Sequence, residues 1–266
     1  MAYRFIAFDL DGTALHSDRT MSERLKSACQ RAAARGCIVA ISSGRIYRST
    51  KRFSDFLGID APVINCQGAI ISDAMTGKEL YSRPLEYDML CDAVDFLRSH
   101  NHFVQANTND GFYFEEDCKW SKYYGSLQGF DGVLVKDLKH DLPCIPAKIV
   151  GLAEPEVTLE RFEQAKAFFG DRMEIAISQP TMVEFTHPEA SKGNALDWIC
   201  SYYNITPDEM IAVGDSFNDI SMIEYAGLGA AVANARQEIL DIADVVVSSN
   251  DEDGVAELIE RYMLEE

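Results

Sequence analysis

The segment Phe5-Ile6-Ala7-Phe8-Asp9-Leu10-Asp11-Gly12-Thr13 constrains this chain more than any other. Four apolar residues in a row read as a strand buried on both faces. Two carboxylates, Asp9 and Asp11, follow where that strand would end. A buried strand that delivers paired acids is costly unless a cation meets them. Hard divalent cations take oxygen ligands, so magnesium is the simplest candidate. The competing reading is an acidic turn bent at Gly12. A second unit weighs against that reading: Met210-Ile211-Ala212-Val213 runs into Gly214-Asp215-Ser216-Phe217-Asn218-Asp219. Two strand-then-carboxylate units imply two halves of one site.

The bulk properties narrow the chemistry. With 266 residues, 47% of them apolar, the chain can bury one large core or two smaller ones. A formal charge of −19, from 43 acids against 24 bases, argues against a nucleic-acid binder and against an anionic membrane surface. An anionic small ligand is still possible where a pocket or a metal reverses the local field. The cysteines, Cys29, Cys37, Cys66, Cys91, Cys118, Cys144 and Cys200, are odd in number and contain no Cys-x-x-Cys. Reduced, mostly buried thiols fit better than a disulfide framework or a zinc site. The histidines form no metal-ligand spacing, and His100 and His102 are expected in a solvated turn. No charged-then-apolar leader and no long apolar run occur, so a soluble cytoplasmic protein is expected.

Strand and helix patterns alternate over the first 80 or so residues. Thr20 and Glu23 read as a capping box opening a helix that Gly36 ends. A strand over 37–41 stops at Ser42-Ser43-Gly44-Arg45, a second helix runs to about Leu57, and 62–66 forms a third strand. Short strands at 69–72 and 80–82 read as a hairpin. The stretch from about Pro84 to Thr186 differs: an amphipathic helix over 87–100, short alternating strands, and helices near 119–127 and 157–169. It reads as an α+β insertion whose antiparallel sheet carries helices on one face. The strand–helix alternation resumes at Ser191, the expected N-cap of a helix opening at Lys192. The expected fold class is α/β: a doubly wound parallel-sheet core over 1–83 and 187–266, with an α+β cap over 84–186.

Asp9 and Asp11, Ser43, and the Asp215/Asn218/Asp219 cluster directly follow strands, and Lys192 opens a helix. In open parallel sheets such positions converge beyond the carboxyl ends of the strands. Acids for a divalent ion, a hydroxyl and a lysine outline a phosphoryl-transfer site. In it Asp9 attacks phosphorus, and Asp11 protonates the leaving oxygen and later takes a proton from water. Asp9 and Asp215 supply carboxylate oxygens to the metal and Asp11 its backbone carbonyl. Ser43, the Gly44 amide, Lys192 and Asn218 hold phosphate oxygens. Asp219 stands behind them, orienting Lys192 or a metal-bound water. Singly, each has a plainer reading: Ser43 as a helix N-cap, Lys192 as a solvent-facing lysine, Arg45 in a surface or structural ion pair. Phe112-Tyr113-Phe114 and Tyr123-Tyr124 read as packing, and Asn107-Thr108-Asn109-Asp110 as a polar turn or a leaving-group selector.

Taken in order, Phe8–Thr13, Ile41–Arg45, Ser191-Lys192-Gly193 and Gly214–Asp219 resemble the four motifs of haloacid dehalogenase-like phosphatases. The position of the insertion and the Gly-Asp-x-x-Asn-Asp form of the last motif resemble the Cof-type branch, which carries an α+β cap. The resemblance implies magnesium-dependent hydrolysis of small phosphomonoesters, often sugar phosphates, through an aspartyl-phosphate. Asp11 is the acid/base that phosphatases of this superfamily carry and dehalogenases lack. Ser43 replaces a common Thr and keeps its hydroxyl. Gln67 replaces a common Asn and lengthens the arm, which leaves open whether it or Arg45 touches substrate. Two alternatives remain at this stage: a sugar phosphomutase of the phosphomannomutase type, and a non-catalytic sugar-phosphate sensor. A small phosphate ester is the expected partner, with oligomeric state open.

Overall fold

A computed structural model describes residues 3–265. The first part of the chain forms β1 (Phe5–Phe8), α1 (Glu23–Ala34), β2 (Ile38–Ile41), α2 (Tyr47–Leu57), β3 (Val63–Asn65), β4 (Ile70–Ser72) and β5 (Glu79–Ser82). The middle forms α3 (Tyr87–Ser99), β6 (Phe103–Asn107), β7 (Phe112–Phe114), α4 (Lys119–Gln128), β8 (Val133–Leu134), β9 (Lys148–Leu152), α5 (Pro155–Phe169), β10 (Glu174–Gln179) and β11 (Met182–Thr186). The last part forms α6 (Lys192–Tyr203), β12 (Met210–Gly214), α7 (Ile220–Tyr225), β13 (Leu228–Val232), α8 (Gln237–Ile242), β14 (Val245–Val247) and α9 (Gly254–Ile259).

The core sheet is parallel, in the order β14-β13-β12-β1-β2. Period-two alternation sends Ile6, Phe8 and Val213 into one apolar layer with Leu25 and Leu258. The same alternation sends Phe5, Ala7 and Ala212 into the opposite layer with Leu196 and Ile199. Burial on both faces explains why these strands read as continuous apolar runs. From β1 the chain steps to β2 on one side, while β12 pairs on the other. The crevice beyond the carboxyl ends of β1 and β12 is therefore the topological switch point.

The third strand departs from the expected parallel sheet. β3 meets the core through a single parallel bridge, Ser42 to Ile64, and pairs antiparallel with β4, which pairs with β5. A β-hairpin can follow directly, whereas another parallel strand needs a crossover. The insertion carries a six-stranded sheet in the order β10-β11-β9-β6-β7-β8, antiparallel except between β7 and β8. Its helices do not all share one face. Residues of α3 and α5 pack with Val104, Ile149, Val183 and Phe185. Tyr124 of α4 packs instead with Phe112, Val150, Leu152 and Met182 on the opposite face. Lys148 and Glu184 share that second face by strand alternation.

Two local expectations are corrected. The N-cap of α1 is Ser22, whose Oγ accepts from the Leu25 N–H at 3.0 Å. The Thr20 hydroxyl is taken by Asp18 in a preceding turn, so the capping box at Thr20 does not form. His102 is buried, not solvated. It precedes β6 on the side that faces α3 and α5, and burial holds its imidazole below the usual value. Among the described residues no helix is long and apolar enough to cross a membrane.

Candidate active site

Strand register alone brings the two acidic segments together. Phe8 pairs with Val213, and the Asp9 N–H donates to the Val213 carbonyl at 3.1 Å. One step further on, Asp9 and Asp215 leave adjacent strands into the same crevice. Gly12 turns the chain with φ +85°, and a Cβ there would stand 2.6 Å from Asp215 Oδ2. Only glycine permits that approach without strain. Thr13 Oγ1 then donates to Asp215 Oδ1 at 2.8 Å, fixing the second acid from the first motif.

Lys192 sits at the floor, fully buried at the start of α6, with Ser191 as N-cap accepting from the Asn194 N–H. Its Nζ donates to Asp9 Oδ1 and Asp219 Oδ1, each at 2.6 Å. The other Asp219 oxygen accepts from the amides of Asp215 and Ser216 at 2.9 and 3.1 Å. Both oxygens of Asp219 are thus committed to holding neighbours in place. Close approach of α6 is permitted by Gly68, whose φ is +94° and whose Cβ would lie 2.1 Å from the Ser191 carbonyl oxygen. Cys66 and Gln67 before it also have positive φ, at 51° and 61°. Such consecutive strain in non-glycine residues marks a loop held by its surroundings.

Ser43 is buried, and its Oγ accepts from the Arg45 N–H at 3.2 Å. It does not cap α2, whose N-cap is Ile46. The Gly44 N–H donates to no described residue, and Gly44 lines the cleft. Arg45 is buried and grips Asp11 with both arms, Nε to Oδ2 at 2.7 Å and Nη2 to Oδ1 at 2.6 Å. Its Nη1 reaches the Leu127 carbonyl in the cap at 2.8 Å. The ion pair expected of Arg45 exists, and its partner is the candidate acid itself.

Electrostatics point to missing positive charge. Burial pushes Asp9 well above the usual carboxylate value; Lys192 opposes this, while Asp219, Asp215 and Asp11 add to it. Burial and then Asp219 push Asp215 up to about 7. Burial disfavours the Lys192 ammonium, but Asp219 and Asp9 outweigh it and hold the lysine above its usual value. Carboxylate oxygens of Asp9, Asp215 and Asp219 lie within 4.8 Å of one another. One ammonium cannot satisfy three carboxylates, and Asp9 Oδ2 and Asp215 Oδ2 accept no hydrogen bond from described residues. An all-oxygen donor set short of positive charge suits a hard dication.

The cap supplies a wall that the sequence reading missed. Lys148 Nζ donates to Glu184 Oε1 at 2.7 Å and to the core's Gly44 carbonyl at 2.8 Å. Glu184 also accepts from Ser178 Oγ at 2.7 Å and from Gln67 Nε2 at 3.0 Å. Gln67 Oε1 accepts from Asn218 Nδ2 at 3.1 Å. The longer arm of Gln67 thus joins the cap glutamate to the fourth motif. A charge interrupting each of two buried strands, Lys148-Ile149-Val150-Gly151-Leu152 and Met182-Val183-Glu184-Phe185-Thr186, was the available signal. The polar loop over 107–110 does not line the cleft. Asn109 bonds Ser72 and the Gly77 carbonyl, tying the cap to the β4–β5 hairpin. Core and cap together enclose a cleft of about 600 Å³ that holds Asp9, Asp11, Gly44, Asp215 and Asn218.

A sequence model of haloacid dehalogenase-like hydrolases matches residues 6–259. The chain belongs to that family. It is similar to the Bacillus subtilis phosphatase YwpJ, 29% identical, with 98% of this chain and all of the relative covered. It is 31% identical to the 5-amino-6-(5-phospho-D-ribitylamino)uracil phosphatase YitU of the same organism, over 97% of this chain and 96% of the relative. A haloacid dehalogenase-like hydrolase structure from B. subtilis superposes with a TM-score of 0.87 at 28% identity, covering 97% of this chain and 99% of that one. The protein is a Cof-type phosphatase, a phosphoric monoester hydrolase with an α/β core and an α+β cap.

Proposed function

We propose that this protein hydrolyses small phosphomonoesters, sugar phosphates among them, through a phosphorylated Asp9. The observation that carries the proposal is the Asp9–Lys192–Asp219 triad beside Asp215, buried at the switch point of the sheet. Magnesium is the proposed cofactor, held by carboxylate oxygens of Asp9 and Asp215 and by the Asp11 carbonyl. When bound it supplies positive charge against the phosphate oxygens. An Asp9 oxygen attacks phosphorus as the bond to the leaving oxygen breaks, and Asp11 delivers a proton to that oxygen. Asp11 then accepts a proton from water, whose oxygen attacks phosphorus and releases Asp9 and inorganic phosphate. Lys192, Ser43, the Gly44 amide and Asn218 steady the phosphate oxygens. Because Arg45 grips Asp11 with two hydrogen bonds, proton delivery requires that grip to loosen when substrate arrives.

Residues 84–186 are proposed as the specificity cap over a core of 1–83 and 187–266, and the cytoplasm as the location. Hydrolysis is favoured over the mutase reading because the lysine and arginine side chains lining the cleft are Arg45, Lys148 and the exposed Arg19. The first two are already paired, so little is left for a second phosphate. The deciding experiment is Asp9→Asn with magnesium and a panel of phosphate esters. Turnover should vanish with the fold intact. Residual activity above a tenth of wild type, a barrier change below about 1.4 kcal/mol, would remove Asp9 from the nucleophile role.

A further inference from the structure

We infer that Gln128, at the end of α4, reads the leaving group, and that the group it reads is neutral and both gives and takes hydrogen bonds. This rests on the phosphatase reading above and extends it to the part of the substrate that departs. Gln128 lines the cleft and is 6% exposed. Its Oε1 is buried with no hydrogen-bond partner, and no described residue bonds its Nε2. A buried amide oxygen left unbonded costs free energy that a ligand can recover.

The other buried polar side chains of the cap that line the cleft are already engaged. Lys148 and Glu184 satisfy each other, Gly44 and Gln67, while Ser178 donates to Glu184. Tyr124 lines the cleft and its hydroxyl accepts from Asn107 Nδ2 at 2.5 Å. Gln179 is half-exposed, so water serves it. Gln128 is therefore the buried group that a substrate completes. An amide offers one acceptor and two donors, which match a hydroxyl or the N–H/C=O edge of a neutral heterocycle.

Charge sets the second condition. The cleft is lined by five carboxylates, Asp9, Asp11, Glu184, Asp215 and Asp251, against Arg19, Arg45 and Lys148. Arg45 and Lys148 are paired, and Arg19 lies exposed. A carboxylate or second phosphate on the leaving group finds no free buried cation at the wall, so it is disfavoured.

The test compares kcat/KM for ribitol 5-phosphate, uridine 5′-monophosphate, phenyl phosphate and 3-phosphoglycerate in wild type and Gln128→Met. Phenyl phosphate has no hydrogen-bonding leaving group, and 3-phosphoglycerate has an anionic one. Wild type should prefer ribitol phosphate or the uridine ester to both of these, and whichever is preferred identifies a hydroxyl or an imide edge as the group read. In Gln128→Met the ratio of the preferred ester to phenyl phosphate should fall roughly tenfold, the worth of one or two hydrogen bonds. The fall should appear mainly in KM, with an unaltered melting temperature confirming the fold. An unaltered ratio, or a wild-type preference for 3-phosphoglycerate, would overturn the inference. If wild type released phosphate from none of the four, the phosphatase reading would fail first and take this inference with it.

Discussion

The floor of the cleft and the wall of its cap both hold buried ion pairs, but they are built in opposite ways. At the floor, Asp9 and Asp215 directly follow core strands, Lys192 opens α6 and Asp219 immediately precedes α7. At the wall, Lys148 opens β9 and Glu184 sits in the middle of β11, both at paired strand positions beside residues that pack apolar layers. The floor gathers three carboxylates around one ammonium. The wall is neutral, with its charges matched to each other and to core amides. On the proposed function, the floor acts on phosphate, which is common to every substrate, and the wall judges what differs between substrates.

The contrast can be broken most severely at Lys192. Lys192→Met leaves Asp9 and Asp219 buried without their cation. It should abolish turnover and destabilise the fold by about 3–5 kcal/mol, read by urea unfolding. A stable, active variant would mean that the floor does not depend on this pair.

At the wall, Lys148→Met alone should cost a comparable few kcal/mol, because Glu184 is left buried and unpaired. The double variant Lys148→Met/Glu184→Met should regain much of that stability while changing substrate preference. If each single variant were as stable as wild type, the wall pair would not be a matched unit.

Arg45→Lys keeps the charge but loses the two-armed grip on Asp11 and the reach to the Leu127 carbonyl. We expect kcat to fall about tenfold, less than the roughly 10²–10⁴-fold that a positioned acid–base contributes, because Asp11 itself is kept. Wild-type kcat in this variant would show that Asp11 is oriented by other contacts.

The smallest effect concerns pH. Asp215 is pushed up to about 7, above the unfolded value near 3.8, so without a cation its contribution favours the fold at low pH. That contribution is lost as pH rises from about 4 through 7, where the folded protein ceases to hold the extra proton. A dication reverses the preference by favouring the ionised form. Magnesium should therefore raise the melting temperature by more at pH 8 than at pH 5.5. Equal shifts at the two pH values would separate Asp215 from the metal.

Much of the core site could be read from the sequence because its causes are local. Apolar runs ending in acids announced β1 and β12, and Ser191 before an amphipathic run announced α6. Local reading failed where two nearby groups competed for one role. Ser22 outbid Thr20 for the cap of α1 because Asp18 had already taken the threonine hydroxyl. It failed again at His102, which is buried on the side of the sheet that α3 and α5 cover.

By itself, the sequence determined the strand–helix alternation, the inserted cap and the acids that converge beyond β1 and β12, since periodicity and chain order govern all of these. Only the tertiary structure decided that Arg45 would clasp Asp11, that Gln67 would bridge Glu184 and Asn218, and that Gln128 would be left unbonded. Those outcomes join positions separated by 34, 117 and 151 residues, and depend on how the cap seats against the core. Hydrogen-bond partners in a buried cleft are assigned by distance in space, and no local pattern carries that information.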